Sequence, residues 1–199
     1  MNQTHDHMKS PPVSPSSSVF LPSALTGLLA LAITSCGPGP EATESRVLTD
    51  EPDPLEQVLL SGAPADAVHV VDARKQPQPG QSLTVTGVIG GGASPFTEGY
   101  ATFTLADDGL DFCHEIPGDD CPTPWDACCE DPDKIKAGLL LVQVPGPDGR
   151  PLTRSLKGIG GLKELDTVTV TGVVAEGSSP DNLILNATGI FRDPESPSA

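Results

Sequence analysis

Between residues 82 and 191 the chain repeatedly alternates apolar and polar side chains with a period of two. Ser82–Ile89 (SLTVTGVI), Tyr100–Leu105 (YATFTL), Thr167–Val174 (TVTVTGVV) and Asn182–Phe191 (NLILNATGIF) are rich in Val, Ile and Thr. Alternation in β-branched residues predicts strands buried on one face. Gly138–Val144 (GLLLVQV) is instead a short continuous apolar run, closed by Pro145-Gly146-Pro147-Asp148-Gly149. That cluster is a turn signal, and Pro151–Leu156 (PLTRSL) is expected to return as the hairpin partner. Gly160–Leu165 reads as a short helical turn. Upstream, Leu55, Val58 and Leu59 fall at helical spacing behind Pro54, which suits a first turn, so a short helix is expected. Val68–Asp72 reads as extended, and Gln76–Gly80 punctuates the chain.

Two of these segments, Leu83–Ile89 (LTVTGVI) and Val168–Val174 (VTVTGVV), are near copies set 85 residues apart. They occur once, so they are not a tandem array. They read as two strands in equivalent barrel positions, each needing a glycine (Gly87, Gly172) where the sheet bends. Five strongly curved strands with a small helical turn before the fourth is the organisation of an OB fold. Gly161–Gly172 (GLKELDTVTVTG) resembles what OB domains carry at that point. The expected fold is therefore mainly β: a five-stranded OB-like Greek-key barrel over residues 81–192 with short helices. It carries a disulfide-rich loop insert at 106–137, a short helix and extended lead-in at 55–80, and a disordered tail at 193–199. Gly90-Gly91, Pro95-Phe96 and the Cys-rich Pro124-Trp125-Asp126 stretch also resemble a group of uncharacterised bacterial lipoproteins. That resemblance implies a fold and no activity.

Val19–Ser35 carries no charge and is mostly apolar, but Pro22 interrupts it and it falls short of the roughly 20 residues a membrane span needs. A short apolar core ending in small residues reads as an export signal. Ile33-Thr34-Ser35-Cys36 resembles the lipobox of bacterial lipoproteins, which implies cleavage after residue 35 and acylation of Cys36. The expected partner is then a membrane, held through the lipid anchor, with the protein facing the periplasm or the exterior. Residues 36–54 hold almost no large apolar side chain and read as the lipidated Cys plus a flexible tether.

Composition narrows the function. The formal net charge is −16, and cleavage at residue 35 leaves it unchanged because one Lys and one Asp depart together. Phosphate contacts want Lys and Arg, so oligonucleotide binding by the barrel is disfavoured. Six aromatic residues beyond position 35 are too few for a run of base-stacking platforms. No Gly-x-Ser-x-Gly elbow is present, and Gly90-Gly91-Gly92 lacks the Lys-Ser/Thr of a phosphate-binding loop, so no catalytic constellation emerges.

The unusual constellation is the insert. Cys113, Cys121, Cys128 and Cys129 fall within 17 residues. In an exported chain, an even cysteine count in a Pro-rich loop reads as two disulfides. A vicinal Cys128–Cys129 bond is strained, which leaves Cys113 and Cys121 each joined to one of the pair. The alternatives are a metal site made of Cys113, His114, Cys121, Cys128 and Cys129, or a redox-active thiol. Against the metal stand the missing Cys-x-x-Cys knuckle and the poor chelation expected of adjacent cysteines. Asp107-Asp108-Gly109 and Asp119-Asp120 lack a calcium-loop pattern and read as turns. Arg150, Arg154, Lys157 and Lys163 put four cations within 14 residues. With Trp125 and Tyr100, the basic residues Arg150, Arg154 and Lys157 make a candidate ligand edge for an envelope protein or a small anionic or glycan ligand. The function expected is non-catalytic binding or interaction at the cell envelope.

Overall fold

The computed structural model describes residues 52–179 and 181–196. The expected export signal, Cys36 and most of the expected tether lie outside the described residues. The four alternating segments and the continuous apolar run become five strands: β2 (Ser82–Ile89), β3 (Thr102–Ala106), β4 (Leu139–Gln143), β5 (Thr167–Val174) and β6 (Ile184–Arg192). A two-residue β1 (Val68–His69) runs parallel to β2, and three short helices, α1 (Pro54–Gln57), α2 (Val70–Ala73) and α3 (Pro132–Ala137), decorate the sheet.

β2, β3 and β4 form an antiparallel meander. The chain then crosses back so that β5 pairs antiparallel with β2, from Ser82↔Val173 to Val88↔Thr167. β6 closes the gap, parallel to β4 and antiparallel to β5. The result is a closed five-stranded, mainly β, OB-like barrel.

Inward residues of every strand fill it: Val85, Ile89, Phe103, Leu105, Val142, Val168, Val170, Leu185 and Ile190 are all fully buried. Phe103 meets Phe96 at a ring separation of 6.0 Å. Leu55 of α1 and Leu156 and Leu162 of the β4–β5 connection join the same core.

The near-copy segments turn out to be partners. Leu83 faces Gly172, Val85 faces Val170 and Gly87 faces Val168, so the two copies pair head to tail about Val85/Val170. The valines point into the core, and Thr84, Thr86, Thr169 and Thr171 line the outside, with Thr169 Oγ1 3.4 Å from Thr86 Oγ1. The glycines serve close approach. A Cβ on Gly87 would collide with the Ala106 carbonyl oxygen, and one on Gly172 would lie 2.5 Å from that of Asn186. Beside Gly172 the β5–β6 register shifts, leaving the extra residue Thr188 exposed on β6.

Several local expectations change. Pro151–Leu156 forms no strand; the return is limited to an isolated Pro145↔Pro151 bridge and the flanking bonds Gly146 N to Arg150 O (2.7 Å) and Leu152 N to Val144 O (3.0 Å). Pro151 has no amide to donate, and Leu156 turns inward to become fully buried core. Val68–Asp72 is extended only at β1, because Val70 enters α2 and buries completely. Residues 53 and 54, expected in the tether, belong to the start of α1, where Asp53 Oδ1 caps the helix by accepting from the Leu55 amide at 3.0 Å. The tail is ordered through residue 196: Asp193 N donates to Thr167 O (2.9 Å) and Thr167 N to Ser196 Oγ (2.9 Å). Within the insert, α3 has a cap the composition hid, Asp131 Oδ1 accepting from Asp133 N at 2.9 Å with Pro132 in the first turn. Asp166 is fully buried at the start of β5. Its Oδ2 accepts from Arg192 Nε (2.7 Å) and Lys163 N (2.9 Å), which pins the ends of β5 and β6 together.

Candidate functional site

Two places outside the filled core concentrate chemistry. The first is the insert between β3 and β4. A 3-10 turn, Cys113–Glu115, faces residues 124–126 across two backbone bonds, Cys113 N to Asp126 O (2.8 Å) and His114 N to Pro124 O (3.1 Å). The unit docks on the barrel through Gly90 and Gly91. Gly91 N donates to Trp125 O at 2.8 Å, and a Cβ on Gly90 would lie 2.7 Å from that same oxygen. Gly91 also holds φ +82°, a left-handed conformation that suits glycine. Trp125 Nε1 donates to Ala93 O at 3.2 Å, and Phe112, Ala127, Leu110 and Leu165 make a small second core beneath. Gly90-Gly91 thus work as the insert's seat, a role that neither a nucleotide-loop comparison nor the lipoprotein resemblance signals.

The four sulfurs converge on Cys113, which is buried. Cys113 Sγ lies 3.5 Å from Cys128 Sγ, and Cys128 Sγ lies 4.0 Å from Cys129 Sγ. Cys113, Cys121 and Cys128 lie within 4.8 Å of one another, as do Cys113, Asp119 and Cys129. No pair among the four stands at disulfide distance. Burial, reinforced by the neighbouring thiols Cys128 and Cys121, pushes the Cys113 thiol far up, whereas hydrogen bonding to Thr123 pulls that of Cys121 down. His114 departs from its expected role. Its Nδ1 is 3.2 Å from Pro124 O, its ring leans on Phe112, and it belongs to neither ligand group.

The second place is the outer face of β3 and β4. A cavity of about 500 Å³ is lined by Tyr100, Thr102, Leu141, Asp148, Arg150 and Pro151, among others. Thr102 is buried and its Oγ1 has no hydrogen-bond partner among the described residues. Tyr100 is 48% exposed. Six of the nine described Lys and Arg are in ion pairs; Arg150 and Lys163 are in none. Leu141 continues into a neighbouring depression with Thr104, Arg74 and Lys136, so the face is a continuous strip along the two strands.

The five residues expected to form one ligand edge are therefore divided. Tyr100 and Arg150 share the β3–β4 cavity. Trp125 and Lys157 line a separate one of about 400 Å³ with Phe96 and Glu98, where Glu164 neutralises Lys157 at 2.6 Å. Arg154 pairs with the α1-capping Asp53 and is spent on the fold. The acidic turn behaves as a turn: Asp107 Oδ1 accepts from Gly109 N (3.0 Å) and Oδ2 from Val71 N (2.9 Å), beside an exposed His69–Asp108 pair at 2.8 Å.

Among the described residues no helix is long and apolar enough to cross a membrane. Compared with known proteins, the chain matches no family model, no curated protein and no solved structure. What the geometry defines is an OB-like barrel bearing a cysteine-rich insert.

Proposed function

We propose that this chain is a non-catalytic binding module of a bacterial cell envelope, anchored through an acylated Cys36, whose ligand lies on the outer face of β3 and β4. The observation that carries the reading is the Tyr100–Thr102–Arg150 cavity. It joins an exposed ring, a buried hydroxyl without a partner and a guanidinium outside any ion pair, in a chain where most other cations are neutralised. OB barrels bind oligonucleotides and oligosaccharides on this pair of strands and the adjoining loops. Net charge −16 disfavours a polyphosphate. Tyr100 offers a flat face to a sugar ring, Thr102 and Asp148 meet hydroxyls, and Arg150 takes a carboxylate in two parallel hydrogen bonds. The ligand class is thus an anionic glycan.

The test is calorimetric titration of the detergent-solubilised lipoprotein with a panel of uronate-containing and neutral oligosaccharides. Arg150→Ala should weaken binding of the acidic members by roughly 10- to 100-fold, as loss of about 1.5–3 kcal/mol in a charged hydrogen bond implies, and leave the thermal midpoint in place. An Arg150→Ala variant that binds the acidic members as tightly as the wild type does, or no binding by the wild type, sinks the reading. Anchoring has its own check: palmitate incorporation that disappears in Cys36→Ala.

A further inference from the structure

We infer that Cys113, Cys121, Cys128 and Cys129 form a closed thiolate centre for a borderline-soft divalent cation of the zinc class, which holds the insert on the barrel. Four thiolates at about 2.3 Å from a tetrahedral ion are separated along each edge by about 3.8 Å. The two measured sulfur separations, 3.5 Å for Cys113–Cys128 and 4.0 Å for Cys128–Cys129, bracket that edge. A disulfide would require about 2.05 Å. Cys121 completes a mutual triad with Cys113 and Cys128.

The adjacent pair keeps its sulfurs 4.0 Å apart, close to the tetrahedral edge, and Cys129 reaches Cys113 in a second triad whose third member is Asp119. The ligands also come from two facing segments already tied together by the Cys113–Asp126 and His114–Pro124 bonds, so the site needs little ordering when the ion enters. From Asp111 to Asp131 the insert carries seven acidic residues and no Lys or Arg. That field concentrates cations, and it opposes four thiolates unless a cation neutralises them. Binding replaces thiol protons with metal–sulfur bonds and releases those protons to solvent, with no change of oxidation state. Four sulfur ligands leave no open coordination position, so the centre is structural and supplies folding energy that the small Phe112–Ala127 core lacks.

The experiment uses full-length protein purified from membranes without reductant or chelator. Elemental analysis should give one zinc-class ion per chain, and alkylation should modify all four insert thiols only after a chelator is added. Cobalt(II), exchanged into the same protein, should give the intense visible bands of a four-coordinate thiolate site. Cys121→Ser, a half-buried rim position outside the barrel, should fall from one ion per chain to none while its far-UV circular dichroism stays that of the wild type. Two disulfides with no ion would overturn the inference. So would four reactive thiols that take up no added zinc, or a Cys121→Ser variant that keeps its full ion load.

Discussion

The barrel and its insert are built on opposite plans. The barrel spreads its stability over many apolar contacts, with every inward position from Val85 to Ile190 buried and each strand hydrogen-bonded on both sides. Removing one inward side chain weakens it without erasing the pattern that specifies it. The insert has few apolar side chains, a handful of backbone bonds and four sulfurs within a few ångström. Its order depends on a small number of particular atoms. A shell held by area and a lobe held by points should therefore fail separately, and each can be attacked where the other is indifferent.

The largest effect should come from the shell. Phe103→Ala removes a fully buried ring from the barrel centre and should cost about 3–5 kcal/mol, read as a lower urea midpoint, with the insert lost in the same transition. Gly87→Ala tests close approach rather than volume. Its Cβ meets the Ala106 carbonyl and should cost about 1–3 kcal/mol, although alanine is otherwise the better strand residue. A variant as stable as wild type would show that β2 and β3 have room to separate there.

The lobe should respond to smaller changes. Trp125→Phe deletes the indole bond to Ala93 and should cost about 1 kcal/mol, seen as faster amide exchange across residues 111–131 with unchanged exchange in β4 and β6. Uniform acceleration throughout would mean that the two regions are one cooperative unit. Acid should act last and least. Glu130 is held below its ordinary carboxylate range chiefly by the Asp131 amide, then by Lys134, and its other oxygen takes the Asp111 amide at 3.3 Å. Because its folded value lies below the unfolded one, its contribution is present near neutrality and is lost as pH falls through the folded value. Exchange in the insert should rise there before the barrel changes.

The same contrast explains what was legible in the sequence. β2 and β5 were readable to the residue, because Thr and Val alternate without interruption and a half-buried strand requires that alternation. Pro151–Leu156 was not, since Leu156 is buried in the common core without belonging to any strand, and periodicity is blind to such burial. α3 carried its signal in Asp131-Pro132, overshadowed by the cysteines before it. The clustering of the sulfurs was evident from spacing, but the separation of Tyr100 from Trp125 was not. It depends on Leu152 and Pro151 lying beside the β3 end of the barrel, a tertiary fact with no local trace.

β6 lies between β4 and β5, and among the described residues it is the only strand that pairs with both. Those nine residues leave the ribosome after every other strand of the barrel. Until they emerge, β4 and β5 each present a naked edge, and Phe103 and Val142 have no ceiling. The ring therefore closes only when β6 joins it, and a chain without β6 would be an open, sticky ribbon rather than a slightly smaller barrel.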